Sequence, residues 1–239
     1  MTFPTVFRAA VAAGVVAGLL LGLFHLVATE PVIDAAIAIE EAAAMPHSVA
    51  EEPVVSRDTQ RVGLILGFLL YGLALGVLFC GAFFLVHRAL PLESPALKAA
   101  LLALAGYWCL ALVPFLKYPA NPPGVGDPET IQFRQGVALL LMVLLLAGAA
   151  LSLYLPRWIR GLSPWAIVVA NVLFASLLLA VLPANIDPVE MPLELVDQFR
   201  ILSLTGLSLF WSVFSALIVW QLRAAGQDPA ASLRERPAT

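Results

Sequence analysis

The sequence predicts an all-α integral membrane protein with six spanning helices, and three observations carry that reading. Of its 239 residues, 61% are hydrophobic and 12% charged, at a mean hydropathy of +0.94, which leaves too little polar surface to cover a soluble globule. Six apolar runs, at 5–28, 61–86, 97–116, 135–155, 164–183 and 201–222, reach the length of about 18 residues that a bilayer-crossing helix requires. The segments between the runs are short and hold most of the charge, so no soluble domain of any size fits between them.

In the first run Arg8 precedes an apolar stretch, Ala9 to Ala28, of about 20 residues, longer than the roughly 7–15 of a signal-peptide core, so the run is expected to be a retained helix. It carries Gly14, Gly18 and Gly22 at four-residue spacing, and the second run carries Gly63, Gly67, Gly72 and Gly76. Small residues on one face let helix backbones approach closely in lipid, so these two runs are predicted to pack as a hairpin. Between them lie His25, the pair Glu30-Pro31, and an acidic loop with Asp34, Glu40, Glu41, His47, Glu51, Glu52 and Asp58. Residues 32–44 read as a short amphipathic helix at the membrane interface. Cys80 and Cys109 sit within apolar runs, where a thiol acts as a small hydrophobe, and they form no CxxC metal pair.

The connections around Arg88 to Lys98 and Pro156 to Pro164 are short, proline-punctuated links. Residues 224–239 are polar and are expected to form a disordered cytoplasmic tail. With the N-terminus inside, the inner segments hold Arg8, Arg88, Lys98, Arg157, Arg160, Arg223, Arg234 and Arg236, against Arg57, Arg61, Lys117, Arg134 and Arg200 outside. This bias favours both termini in the cytoplasm. Thirteen of the sixteen acids fall in the outer loops, so that face balances at 5 minus 13, or −8, and should attract cations.

The densest information lies at 117–134, KYPANPPGVGDPETIQFR. Pro119, Pro122, Pro123 and Pro128 withhold N–H donors, and Gly124 and Gly126 allow backbone conformations that other residues avoid, so a shaped loop is predicted there. Part of it recurs: Pro183-Ala184-Asn185 repeats Pro119-Ala120-Asn121, Asp187-Pro188 repeats Asp127-Pro128, and Gln198-Phe199-Arg200 repeats Gln132-Phe133-Arg134. Runs three and four, and runs five and six, therefore read as two copies of one helical hairpin. Runs one and two form a degenerate third copy, with Glu30-Pro31 at the exit and Gln60-Arg61 at re-entry. Three parallel hairpin repeats would gather outward-facing Pro-Ala-Asn loops around a vestibule.

Those loops offer oxygen donors, Asn121, Asp127, Glu129, Asn185, Asp187, Glu190 and Glu194, with His25 and Glu30 approaching from the first helix. A carboxylate, amide and imidazole set suits a divalent metal such as Co, Ni, Mn or Zn. The same residues also suit a simpler role, in which the acids solvate a surface and the asparagines cap turns. Lys117 is expected to pair with Asp127 or Asp187. No G-x-S-x-G, P-loop or dinucleotide motif occurs, and no basic aromatic face suggests nucleic acid, so no enzymatic role and no covalently bound cofactor are expected.

The segment 117–131, the His25 and Glu30-Pro31 exit from a glycine-rich first helix, and Ser56-Arg57-Asp58-Thr59-Gln60-Arg61 ahead of the second helix resemble the CbtA-type cobalt transporter subunit family over essentially the whole chain. The resemblance implies a multi-pass protein of the bacterial inner membrane that takes up Co2+ for cobalamin synthesis, acting with a small CbtB-type single-span subunit that bears a histidine-rich end. From their donor chemistry and their gathering at the loops, His25, Glu30, Asn121, Asp127, Glu129, Asn185 and Asp187 are the candidate metal-contacting residues. The chain departs from histidine-rich members in having only His47 in the first outer loop, which shifts metal capture toward the partner. A homo-oligomer, a non-transporting assembly or regulatory role, and a membrane-embedded enzyme acting on lipid-linked substrates remain open.

Overall fold

The computed structural model describes residues 1–43, 55–90, 92–159, 161–185 and 187–227. His47, Glu51, Glu52 and the tail from residue 228 lie outside them. Every regular element among the described residues is helical. In chain order these are α1 (Phe3–Phe24), a π-turn (His25–Thr29), α2 (Glu30–Ala43), α3 (Arg57–Val86), α4 (Pro95–Tyr107), a second π-turn (Trp108–Leu112), α5 (Val113–Lys117), a 3₁₀ turn (Pro128–Thr130), α6 (Ile131–Ser152), α7 (Leu155–Trp158), α8 (Pro164–Val181) and α9 (Leu193–Gln227). Six helical stretches, Phe3–Ala42, Arg57–Val86, Pro95–Lys117, Pro128–Ser152, Pro164–Val181 and Leu193–Gly226, are long and apolar enough to cross a membrane. The chain is a multi-pass membrane protein.

Three details differ from the sequence reading. The interfacial helix expected at 32–44 is not a separate element, because α1 runs through a π-turn into α2. Pro31 lacks an N–H and its ring crowds the carbonyl four residues back. The helix accommodates it by widening just before, where the Glu30 N–H bonds the His25 carbonyl five residues away. The same device recurs at Pro114, where the Val113 N–H reaches the Trp108 carbonyl. Secondly, the shaped loop covers only residues 118–127. Asp127 accepts the Glu129 N–H at 2.8 Å and Pro128 opens the next turn, so Gln132, Phe133 and Arg134 are helical. Thirdly, α9 begins at Leu193 and ends at Gln227, which makes Gln198, Phe199 and Arg200 helical as well, together with residues 224–227 of the expected tail.

The helices divide into two compact units. The terminal unit contains Met1–Gly22, Ile65–Ala105 and the chain from Ser208 on. Its α1 and α3 meet backbone to backbone: a methyl group added at Gly14 would overlap the Gly72 carbonyl, and one at Gly76 would lie 2.6 Å from the Ala10 oxygen. The predicted glycine face is therefore Gly14, Gly18 and Gly22 against Phe68, Gly72 and Gly76. Gly63 and Gly67 are not part of it, since a methyl there would meet nothing. Along α3 and α9 the contacts are aromatic, with Tyr71 and Phe210 at 5.3 Å and Phe79 and Phe214 at 5.0 Å between ring centroids.

The loop unit contains Leu23–Leu64 and Gly106–Leu207. Cys109, Val113, Leu141, Leu145 and Ala175 form one core, joining the second π-turn, α5, α6 and α8. Gly148 admits the Phe174 ring against the backbone of α6. A second core joins α2, the proline loop and the start of α9 through Ala36, Met191 and Val196, with Val125 packed against them. Three stretches far apart in the sequence thus share one apolar cluster.

Candidate functional site

Every residue that the sequence marks as a candidate metal contact lies in the loop unit. The first group is built on helical spacing. Glu30 and Asp34 are one turn apart on α2, and Arg57 and Arg61 one turn apart at the start of α3. Arg57 Nη2 bridges Glu30 Oε2 at 2.8 Å and Asp34 Oδ1 at 2.6 Å, while Arg61 donates through Nε to Glu30 Oε2 at 3.1 Å and through Nη2 to Asp34 Oδ2 at 2.8 Å. Two carboxylates and two guanidinium groups cancel in charge. The Glu30 side chain is only 7% exposed, and both guanidinium groups stand against it. His25 is buried in the first π-turn, with Nδ1 2.8 Å from the Thr29 hydroxyl.

The second group spans the two proline-bearing loops. Asp187, 4% exposed, lies 3.1 Å from Arg134 Nε. That nitrogen is not aligned for a hydrogen bond, so the contact is an ion pair without hydrogen-bond geometry. Asp187 also accepts the Thr130 hydroxyl at 2.8 Å and the Asp127 N–H at 3.3 Å. In the opposite sense Arg200, at the start of α9, donates to Asn121 Oδ1 at 2.9 Å. Each re-entering helix therefore sends its arginine to the loop of the other hairpin, and the two loops are clasped reciprocally.

Gly124 and Gly126 shape this clasp. Both adopt positive φ, 76° and 102°. A side chain at Gly126 would press on the Arg134 guanidinium, and one at Gly124 on Met191 and Glu40. Lys117 does not pair with Asp127 or Asp187 as expected. Its ammonium donates to the Leu179 and Leu182 carbonyls at 2.7 and 2.6 Å, where α8 ends and its carbonyls lack intrahelical partners. The Tyr118 hydroxyl extends this cap by donating to the Pro183 carbonyl at 2.6 Å, and burial pushes its phenol above the ordinary range, which keeps the proton on.

Residues alike in sequence do different work. Asn121 accepts from Arg200, whereas Asn185 accepts the Asp187 N–H at 3.1 Å in a local turn. Asp127 starts a helical turn, whereas Asp187 anchors Arg134. Glu129 is exposed. Among the described residues no three His, Cys, Asp or Glu side chains converge closely enough to hold a metal ion. Six described acids of the unit, Glu40, Glu41, Asp127, Glu129, Glu190 and Glu194, stand outside the ion pairs seen among the described residues. The arginine partners were not foreseen from sequence, although the i,i+4 spacing of Arg57 and Arg61 and the repeated Gln-Phe-Arg were the signals for them.

The family model described as probable cobalt transporter subunit (CbtA) matches residues 3–223 of the chain. No curated protein and no solved structure matches it.

Proposed function

We infer, from the premise that the chain belongs to the CbtA family of probable cobalt transporter subunits, that it is the membrane component of a divalent-metal uptake system whose cargo is Co2+. The match over residues 3–223 is the observation that carries this reading. On it, the protein lies in the cell membrane with both termini in the cytoplasm and acts without an ATPase of its own and without enzymatic activity. The membrane potential then supplies about 2.3 kcal/mol per charge per roughly 100 mV, hence about 4.6 for a dication. Each tenfold of gradient costs about 1.4 kcal/mol, so that suffices against roughly a thousandfold.

The state of the carboxylates supports a division of labour. Acids outside ion pairs, Asp127 and Glu129 among them, draw dications to the loops. Glu30, Asp187 and Asn121 are already engaged by arginines, so they contact the cargo only if a guanidinium leaves. His25 and Asn185 would then complete a transient oxygen and nitrogen set. First capture falls to a small CbtB-type single-span partner.

Uptake of radiolabelled cobalt in cells expressing the chain with and without its small partner tests the reading. We expect uptake to require both, and Asp127→Asn combined with Glu129→Gln to lower it at unchanged abundance. Cobalt accumulation equal to that of cells lacking the chain would leave the assembly or regulatory role instead. For orientation, single cysteines at Ala184 and Glu93 in a background lacking Cys80 and Cys109 should label from outside and not label, respectively. The reverse pattern inverts the topology.

A further inference from the structure

The terminal unit holds a cleft of about 330 Å³ between the first turns of α1 and the last turns of α9, lined by Thr5, Arg8, Ala9, Trp220, Gln221 and two alanines of α9. We propose that this cleft is a binding site for the phosphate-bearing headgroup of an anionic phospholipid, held by Arg8 and flanked by Trp220.

Depth is the first argument. Arg8 lies five residues into the span that starts at Phe3, and Trp220 six residues before the end of the span that closes at Gly226. At about 1.5 Å per helical residue both sit roughly 8–9 Å from the span ends, within reach of headgroups and upper acyl chains for side chains of this length. Charge is the second. Arg8 is exposed, and its one hydrogen bond among the described residues runs from Nε to the Pro4 carbonyl of its own helix at 3.3 Å. No carboxylate among the described residues pairs with it. The Nη groups form the planar fork that matches two phosphate oxygens. A guanidinium without a counter-ion at this depth is costly in hydrocarbon, and a lipid phosphate is the anion that the surroundings supply.

The walls fit the rest of a lipid. Trp220 is 66% exposed on α9, the pattern of an indole anchored at the interface with its ring along the acyl chains. Ala9 and the neighbouring alanines keep the cleft open. Gln221 reaches across it, donating from Nε2 to the Ala9 carbonyl at 3.3 Å, which fixes the spacing of the two helices and leaves its amide oxygen for a headgroup hydroxyl. Thr5, bonded to Thr2 at 2.8 Å, adds a hydroxyl at the mouth.

The test is lipid retention. The purified protein is exchanged into nanodiscs of phosphatidylcholine and phosphatidylglycerol in equal parts, and bound lipid is counted by native mass spectrometry after release into detergent. We expect selective retention of phosphatidylglycerol, weakened about tenfold or more by Arg8→Gln, weakened less by Arg8→Lys, and unchanged by Arg88→Gln, an exposed arginine outside the cleft. Equal retention of both lipids, or retention of phosphatidylglycerol that survives Arg8→Gln, overturns the proposal. A parallel titration with glycerol phosphate alone separates the sources, since saturable binding of the soluble anion at least as tight as that of the lipid would make this a site for soluble phosphate esters and overturn the lipid assignment. Because Arg8 is exposed and pairs with no acid among the described residues, its replacement should leave the fold intact. An unchanged melting curve in detergent checks that the lost lipid is not lost structure.

Discussion

The two units hold themselves together by different means. In the loop unit charge meets charge: Arg57 and Arg61 end on Glu30 and Asp34, Arg134 on Asp187, and Arg200 on the amide of Asn121. In the terminal unit Arg8, Arg88 and Arg223 meet no carboxylate among the described residues, and cohesion comes from backbone contact at Gly14 and Gly72 and from the rings of Phe79, Phe210 and Phe214. The difference teaches where each unit is sensitive. Clasped loops respond to the loss of a charge, and a glycine seam responds to the gain of a methyl group.

The largest effect should come from the seam. Gly72→Ala places a Cβ onto the Gly14 carbonyl, and the rigid backbone on the other side cannot yield, so a loss of about 3 kcal/mol is expected. Gly67→Ala, five residues away but facing open space, should change stability by less than about 0.5 kcal/mol. Thermal unfolding of both variants in one detergent checks the contrast, and equal melting temperatures would mean that the seam does not hold α1 to α3.

Next comes the buried acid. Glu30→Gln keeps the shape but leaves Arg57 with Asp34, and Arg61 with Asp34 and the exposed Asp58, at an expected cost of about 2–3 kcal/mol, below the roughly 3–5 of a fully buried pair because both arginines are about a third exposed. Asp187→Asn should cost about 2 kcal/mol through Arg134. Asp127→Asn should cost less than about 0.5, since asparagine caps as well as aspartate does. Hydrogen exchange would place the first two losses in the loop unit. If Asp127→Asn proved as damaging as Asp187→Asn, the unequal roles of these two repeated acids would be wrong. The smallest effect belongs to Arg8→Gln, expected within about 0.5 kcal/mol in detergent.

Six spans were legible in the sequence because the length and apolarity of a run are local properties that lipid rewards directly. The loop conformation at Gly124 and Gly126 was legible for a similar reason, since the prolines restrict the backbone and the two glycines admit positive φ wherever the chain goes. The helix that passes Pro31 without breaking was not, because whether a proline ends a helix or is absorbed by a π-turn depends on what the following segment packs against, here the cluster of Ala36, Val125, Met191 and Val196.

The sequence alone also showed that Pro-Ala-Asn and Gln-Phe-Arg recur, and that the acids gather in the loops. Only the tertiary structure decided which acids were already taken. Arg57 reaches Glu30 across 27 residues, Lys117 caps a helix 62 residues on, and Arg200 finds Asn121 across 79. Electrostatic pairing falls off within a few ångströms, whereas sequence distance says nothing about separation in space. A census of charges therefore gave 5 minus 13 for the loops, and only the fold decided that Glu30, Asp34 and Asp187 are the carboxylates the arginines hold.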